Sequence, residues 1–469
     1  MRSIDSVLLD LPTEVVTRDQ DILSSYVTDF RRQYVGATTA LLRPRNTAEV
    51  QTIVRACAKY KVGLVPQGGN TSYCTAATPN ADGQELLISL ERMNRLRELD
   101  AENLSLTADA GMILCDLQTA AGDAGLMLPL ALGSQQSCRI GGNLSTNAGG
   151  INVVRYGMTR DLVLGLEAVL PDGSLFSELN PLRKNNSGYD VKQLFIGAEG
   201  TLGVVTGVSL KLVRKPRQTI TAFLAVRDIT SLAAILDAAQ TQSGEAITSF
   251  EYISSASLDL LLSAKGHLRH PLEQKSEHYV IMEAATASPV LNLEECMSAL
   301  LAQLYETELI SDGTIAASEQ QRADLWHLRE SIPEAEVHHG GSIKHDIAVR
   351  TSRLAAFIEL ARQLVRSHRS DAILSVYGHV GDGNVHFNIV PPAGTDTAIF
   401  KRRVEQDISP EIYKLAFEMG GTFSAEYGIG RVKLDLLRRY GAAGKVDLMN
   451  RIKAAIDPHR LLNPGKVIP

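Results

Sequence analysis

Apolar residues recur at helical spacing behind Asn46-Thr47-Ala48-Glu49, with Val50, Ile53, Val54 and Cys57 on one face. The Asn-x-x-Glu pattern ahead of them has the form of a capping box, so a helix is predicted to open there. Gly63 fits its stop, and Leu64-Val65-Pro66 reads as a strand running into Gln67-Gly68-Gly69-Asn70-Thr71-Ser72. Residues 1–40 read as helical and polar. Strands are predicted over 85–90, 104–109 and 162–170, with a helix near 113–124 and a turn at Pro171-Asp172-Gly173. A break falls after Val213-Arg214-Lys215-Pro216-Arg217, and Thr219 to Val226 begins a new strand pattern. Residues 230–310 mix amphipathic helices with short strands, and Leu325-Trp326-His327-Leu328-Arg329-Glu330 reads as helix. Ala372 to Tyr377 reads as a buried strand; Val385, Phe387 and Ile389 alternate beyond the next turn.

Composition narrows the class. A chain of 469 residues has room for two or three domains with sizeable cores. The net charge of −6, with no block of Lys or Arg, gives no support to nucleic-acid binding. No apolar run reaches membrane-spanning length, and the first residues have neither a basic nor an apolar signal region. Five scattered cysteines without a Cys-x-x-Cys pair read as reduced thiols, and a cytoplasmic location is expected.

Two kinds of segment carry candidate chemistry. The first is glycine-rich: the run 67–72, the run Gly133-Ser134-Gln135-Gln136-Ser137, the stretch Gly141-Gly142-Asn143-Leu144-Ser145-Thr146-Asn147-Ala148-Gly149-Gly150, and Gly197-Ala198-Glu199-Gly200-Thr201-Leu202-Gly203-Val204-Val205-Thr206. Glycine allows close backbone approach to a phosphate or a long polar ligand. None of these runs is a dinucleotide fingerprint or a P-loop, and a plain connection between strands is the alternative reading. The second is Gly378-His379-Val380-Gly381-Asp382-Gly383-Asn384-Val385-His386, where a bend brings two imidazoles to one side. Neutral imidazoles suit a divalent metal, with Glu426 in the glycine-framed Ser424-Ala425-Glu426-Tyr427-Gly428-Ile429-Gly430 as a third ligand. A hairpin with two hydrogen-bonded histidines is the alternative.

Taken in order, Pro66 to Thr71, Ile140 to Gly150, Gly197 to Thr206 and Leu462-Asn463-Pro464-Gly465-Lys466 resemble the FAD-binding domain of the vanillyl-alcohol oxidase and p-cresol methylhydroxylase superfamily. The whole chain is similar to its D-lactate, glycolate and D-2-hydroxyglutarate dehydrogenase group. The tract Asn185 to Gly203, and Arg329 combined with Lys344, are most similar to D-2-hydroxyglutarate dehydrogenase.

The resemblance implies an α+β fold: a two-part FAD-binding domain of the p-cresol methylhydroxylase type over 1–215, an antiparallel-sheet substrate domain with covering helices over 216–410, and a C-terminal segment, 411–469, that carries a metal ligand and returns to the FAD domain. It implies FAD contacts from Gln67, Gly68, Gly69, Asn70, Thr71, Ser134, Gly141, Gly142, Asn143, Thr146, Asn147, Gly149, Gly150, Glu199, Gly203, Val205 and Asn463. Some relatives attach FAD through a histidine or a cysteine; Asn70 and Gln135 stand in those places, so noncovalent FAD is expected.

It further implies zinc or a similar divalent metal on His379, His386 and Glu426, with Arg329, Lys344 and Asn388 on the substrate. The implied reaction passes a hydride from C2 of a D-2-hydroxy acid, D-2-hydroxyglutarate or a similarly anionic one, to flavin N5. A D-lactate or glycolate-type enzyme and a non-catalytic flavin-binding subunit are the alternatives. No nicotinamide motif is present, so electrons are expected to leave through another protein, a quinone or a similar acceptor, and a homodimer is allowed. Three positions depart from the pattern. Pro333 replaces a threonine and Arg350 a proline, which leaves room for a different second anionic group on the substrate. Tyr427 replaces the histidine expected as general base, and an ordinary phenol, with a pKa near ~10, is a poor base at neutral pH unless a nearby cation lowers it.

Overall fold

The computed structural model describes residues 4–468 and divides into two compact units. The first is assembled from residues 4–149, 157–215 and 426–468, the second from 150–156 and 216–425. Residues 411–425 therefore fold with the second unit, and the division falls at 425/426 instead of after 410. The physical reason lies in helix Ser409–Glu418, whose buried Ile412 and Ala416 join the core of the second unit.

In the first unit the helix Thr47–Tyr60 forms as its capping signature predicts: Asn46 Oδ1 accepts from the Glu49 N–H at 3.0 Å. Its stop differs from expectation. Lys61 takes the left-handed conformation that ends the helix, and Gly63 already belongs to strand Gly63–Gln67. Gly63 fits closely there, since a Cβ would sit 3.1 Å from a Pro464 side-chain carbon and 3.2 Å from one of Glu85. That strand pairs in parallel with Glu85–Ser89 at one end of a four-stranded sheet. A five-stranded antiparallel sheet follows, with Val204–Lys211 central between Ser105–Asp109 and Val163–Val169. The C-terminal segment closes the unit: Leu462 bridges to Leu64, and Asn463 N–H donates to Leu64 O at 2.9 Å.

The second unit is built on a seven-stranded sheet in which every neighbouring pair is antiparallel. Period-2 alternation explains how both faces are covered. Leu224, Met282, Val376 and Phe387 point to one core, shared with helices Leu232–Ser243, Leu293–Glu306 and Thr351–His368. Phe223, Ile281, Ile253 and Tyr377 point to a second core with helices Ser255–Ala264, Glu319–Glu330 and Ile332–His338. Among the described residues no helix is long and apolar enough to cross a membrane.

Candidate active site

Strands Ile373–Gly378 and Asn384–Val390 form the hairpin read from the sequence, in a register that sets Tyr377 opposite His386 and Ser375 opposite Asn388. The turn is closed by Asp382 and Asn384 N–H groups donating to His379 O at 3.2 and 3.1 Å. Gly383, at φ 87°, is obligatory, since a Cβ there would lie 2.2 Å from Val349 O. Tyr377, His386 and Asn388 share the face of the sheet opposite Val376 and Phe387, because neighbours two apart on a strand point the same way.

This hairpin brings His379 and His386 together, their ring centroids 5.3 Å apart and their planes nearly perpendicular. The third expected ligand is positioned through the chain. Ala425 N–H donates to the carbonyl of Asp346, which is the register partner of His386, and Glu426 is the next residue. One ligand atom from each of His379, His386 and Glu426 lies within 4.8 Å of the others. Two imidazoles and one carboxylate at such spacing fit a single divalent ion with coordination positions left over.

A carboxylate that the sequence reading missed organises the site. Glu251, buried on strand Ile247–Ser254, accepts from His379 Nδ1 at 2.5 Å and from Arg329 Nε at 2.8 Å. Burial alone would raise this carboxyl, but His379 and Arg329 outweigh it and hold it at about 2. A proton on His379 Nδ1 puts the lone pair on Nε2, the arrangement a metal-ligating imidazole needs. Arg329 is a buried residue of helix Glu319–Glu330, with its guanidinium carbon 4.7 Å from the centre of the Tyr377 ring.

A second missed carboxylate is Glu336, on helix Ile332–His338. It accepts from Lys344 Nζ at 2.8 Å, Ser342 Oγ at 2.7 Å and Asn388 Nδ2 at 2.9 Å. Lys344 and Asn388 are thus brought to one carboxylate, and Arg329 to another. Position was the available signal: Glu336 lies four residues after buried Ile332, on the inward stripe of its helix, and Glu251 is the lone charge in a buried strand. Pro333 sits in the first turn of helix Ile332–His338, where a missing N–H costs nothing, and Arg350 is exposed ahead of helix Thr351–His368. His338 is exposed; His345 is buried between Phe387 O and Ser409 Oγ.

In the first unit the glycine pairs meet. A Cβ on Gly69 would lie 2.4 Å from Ser137 O, and one on Gly68 would lie 3.4 Å from Gly142 Cα. Gly141 is as tightly held, its N–H donating to Ala110 O at 2.7 Å. Gly142 differs: a Cβ there meets nothing within 4 Å, so its outer side faces open space. The stretch expected to wrap a ligand as a loop is a short helix, Ile140–Thr146, capped by Asn147 at φ 50°. The buried Oδ1 atoms of Asn143 and Asn463 have no hydrogen-bond partner among the described residues, acceptors that a polar ligand could engage.

Other expected contacts are held by the protein itself. Gln67 Nε2 donates to Tyr26 O and Ala77 O, and Asn70 Nδ2 to Thr28 O; Asn147 Oδ1 accepts from Arg160 N–H. A Cβ at Gly203 would press on Phe195, and Val205 is buried in strand Val204–Lys211. Thr71 and Ser134 are half-buried, Thr146 Oγ1 bonds back to Gly142 O, and Gly149 and Gly150 fall on either side of the unit boundary. Glu199 accepts from the N–H groups of Ile429 and Gly430 at 2.7 and 2.9 Å, while its own carbonyl accepts from Asn463 Nδ2. Burial pushes its carboxyl up to about 7 against the pull of those N–H groups and Lys433. Tyr427, in the same turn region, meets the Tyr73 ring edge-on at 4.8 Å, and Lys433 Nζ lies 5.4 Å from its ring centre.

The cradle lies in the part of the chain for which comparison with known proteins gives a cofactor. Residues 38–177 match an FAD binding domain and residues 215–467 the C-terminal domain of FAD linked oxidases. The chain belongs to the FAD-linked oxidase family and is an oxidoreductase that uses FAD. It is 36% identical over 455 residues to D-2-hydroxyglutarate dehydrogenase, mitochondrial, of Arabidopsis thaliana, covering 97% of this chain and 79% of that one. It is 35% identical over 456 residues to D-2-hydroxyglutarate dehydrogenase of Stutzerimonas stutzeri, covering 97% and 96%. The fold is similar to that of p-cresol methylhydroxylase with substrate bound, at a TM-score of 0.76 and 16% identity over 98% of this chain and 95% of that one. The α+β architecture with a p-cresol methylhydroxylase-type FAD domain is therefore the fold of this chain.

Proposed function

We propose that this oxidoreductase converts a D-2-hydroxy acid to the 2-oxo acid, with FAD held noncovalently and a divalent metal, zinc first among candidates, on His379, His386 and Glu426. The observation that carries the reading is the convergence of those three donors. The names of the relatives support the substrate class. In the reaction the C2–H bond breaks with transfer of a hydride, the hydroxyl loses its proton, and the C=O bond forms. Bound FAD supplies the hydride acceptor, and a metal at the three ligands supplies a Lewis acid for the 2-hydroxy carboxylate.

The residues do the rest. Glu251 keeps His379 in one tautomer, and Tyr377 packs its ring 5.3 Å from that of His386. Tyr427 is the group we assign to take the hydroxyl proton, because it directly follows Glu426 and has Lys433 beside its ring. Asn70 and Gln135 offer no nucleophile for a covalent flavin bond. The electrons would pass on to an external acceptor of the electron-transfer-protein or quinone class.

The test is anaerobic flavin bleaching with metal analysis on the same sample. About one equivalent of metal per chain is expected. His386→Ala should lose metal and substrate-driven bleaching while keeping FAD. Tyr427→Phe should slow bleaching by about 100-fold, within the range for loss of a general base. Full bleaching by metal-free protein would remove the metal from the reaction, and unchanged rates in Tyr427→Phe would remove the phenol.

A further inference from the structure

The groups flanking the histidine pair have their charges matched within the second unit. Arg329 is paired with Glu251, and Lys344 with Glu336. Glu336 is 1% exposed, and both of its oxygens are engaged: Oε2 by Lys344 and Ser342, Oε1 by Asn388. A second carboxylate brought to Lys344 would have to lie against Glu336 or displace it. Displacement would leave a buried carboxylate without its cation, which is costly.

Asn388 adds a direction to this. Because its Nδ2 donates to Glu336, its amide orientation is fixed, and Oδ1 must face elsewhere. That oxygen is buried and has no hydrogen-bond partner among the described residues. An unpaired buried acceptor beside an engaged carboxylate calls for a donor, and hydroxyl groups supply donors without adding charge.

We infer that Glu336 sets the substrate class: beyond C2, the acid carries uncharged hydroxyl donors in place of a second carboxylate. This rests on the hydroxy-acid reading above and narrows it.

The test is the kcat/KM for anaerobic flavin reduction of the FAD-loaded enzyme with D-glycerate and D-gluconate, against D-2-hydroxyglutarate and D-malate, with D-lactate as the unsubstituted reference. The hydroxylated acids should exceed the dicarboxylates by about tenfold or more in the parent protein. Glu336→Gln keeps the side-chain shape but removes the negative charge held against Lys344, so the ratio should move toward dicarboxylates by about tenfold to a hundredfold. Parent protein that prefers dicarboxylates overturns the inference, as does an unchanged ratio in flavin-replete Glu336→Gln. Should that variant not accumulate folded, the ranking in the parent protein decides. Rapid bleaching by D-lactate with dicarboxylates ranked highest would sink the inference and leave the hydroxy-acid reading intact. Bleaching by none of the five acids, in protein whose flavin dithionite reduces, would overturn both.

Discussion

Glu251 lies between Phe250 and Tyr252 in a strand whose every residue is buried, a costly place for a carboxylate. Its cost is offset by two charge-assisted hydrogen bonds, one from each partner. An imidazole that donates from Nδ1 to such a carboxylate is oriented and made a stronger metal ligand through Nε2. Glu251→Gln can still accept one hydrogen bond but loses the charge. Metal affinity should fall about 10–100-fold while FAD content is unchanged. Metal retention during dialysis against a competing chelator measures this. Retention equal to the parent's would mean that Glu251 serves only as the counter-ion of Arg329. The metal-ligand candidates were legible in the sequence because their chemistry shows in residue type and glycine-framed turns. Glu251 and Glu336 were not, because one carboxylate in a buried segment acquires meaning only when strand pairing and helix packing bring its partners to it.

At the scale of elements, local signals worked where one physical cause dominated. The capping box placed the helix start at Asn46, and period-2 alternation placed the strands on either side of the histidine turn. The helix end was misread because Lys61 accepts the left-handed conformation, while the glycine two residues later answers to packing against Pro464. Helix Ile140–Thr146 was also hidden, since paired glycines weaken helix propensity and tertiary contacts decide. Gly141 shows those contacts, set so close to Ala110 that a Cβ would fall 2.7 Å from that residue's Cβ. Gly142 on the same helix has no such constraint. A side chain at 142 should therefore be tolerated by the fold and obstruct only what approaches from outside. Gly142→Val should melt close to the parent apoprotein yet retain flavin about tenfold less tightly or worse, a loss of roughly 1.4 kcal/mol. Absorbance of the purified protein reads the outcome, and full flavin content would take this helix out of the cofactor site.

At the scale of the molecule, the first unit is made of three separate stretches of chain, and its last stretch must be tied back. Lys453 does part of this, donating to Thr201 O, Asp457 and Leu462 O. Glu199 does another part, since its carboxylate holds Ile429 and Gly430 just beyond Glu426 and Tyr427. Gly428 makes room for it: a Cβ there would lie 2.7 Å from Glu199 Oε1. Burial raises the Glu199 carboxyl from an ordinary 4.5 to about 7 in the folded protein. Between those values the folded state binds more protons than the unfolded state, so stability falls as pH rises. The contribution is whole below about 4.5 and lost as pH climbs through about 7. Its size is on the order of 3 kcal/mol. Denaturant unfolding of the parent protein and Glu199→Gln, at intervals from pH 5 to pH 8, isolates this group because other titrations cancel in the difference. The parent should lose stability with rising pH relative to the variant, most steeply midway between 4.5 and about 7, and level off above that. Parallel curves would mean that Glu199 is ionised throughout, with the two backbone N–H groups and Lys433 outweighing its burial.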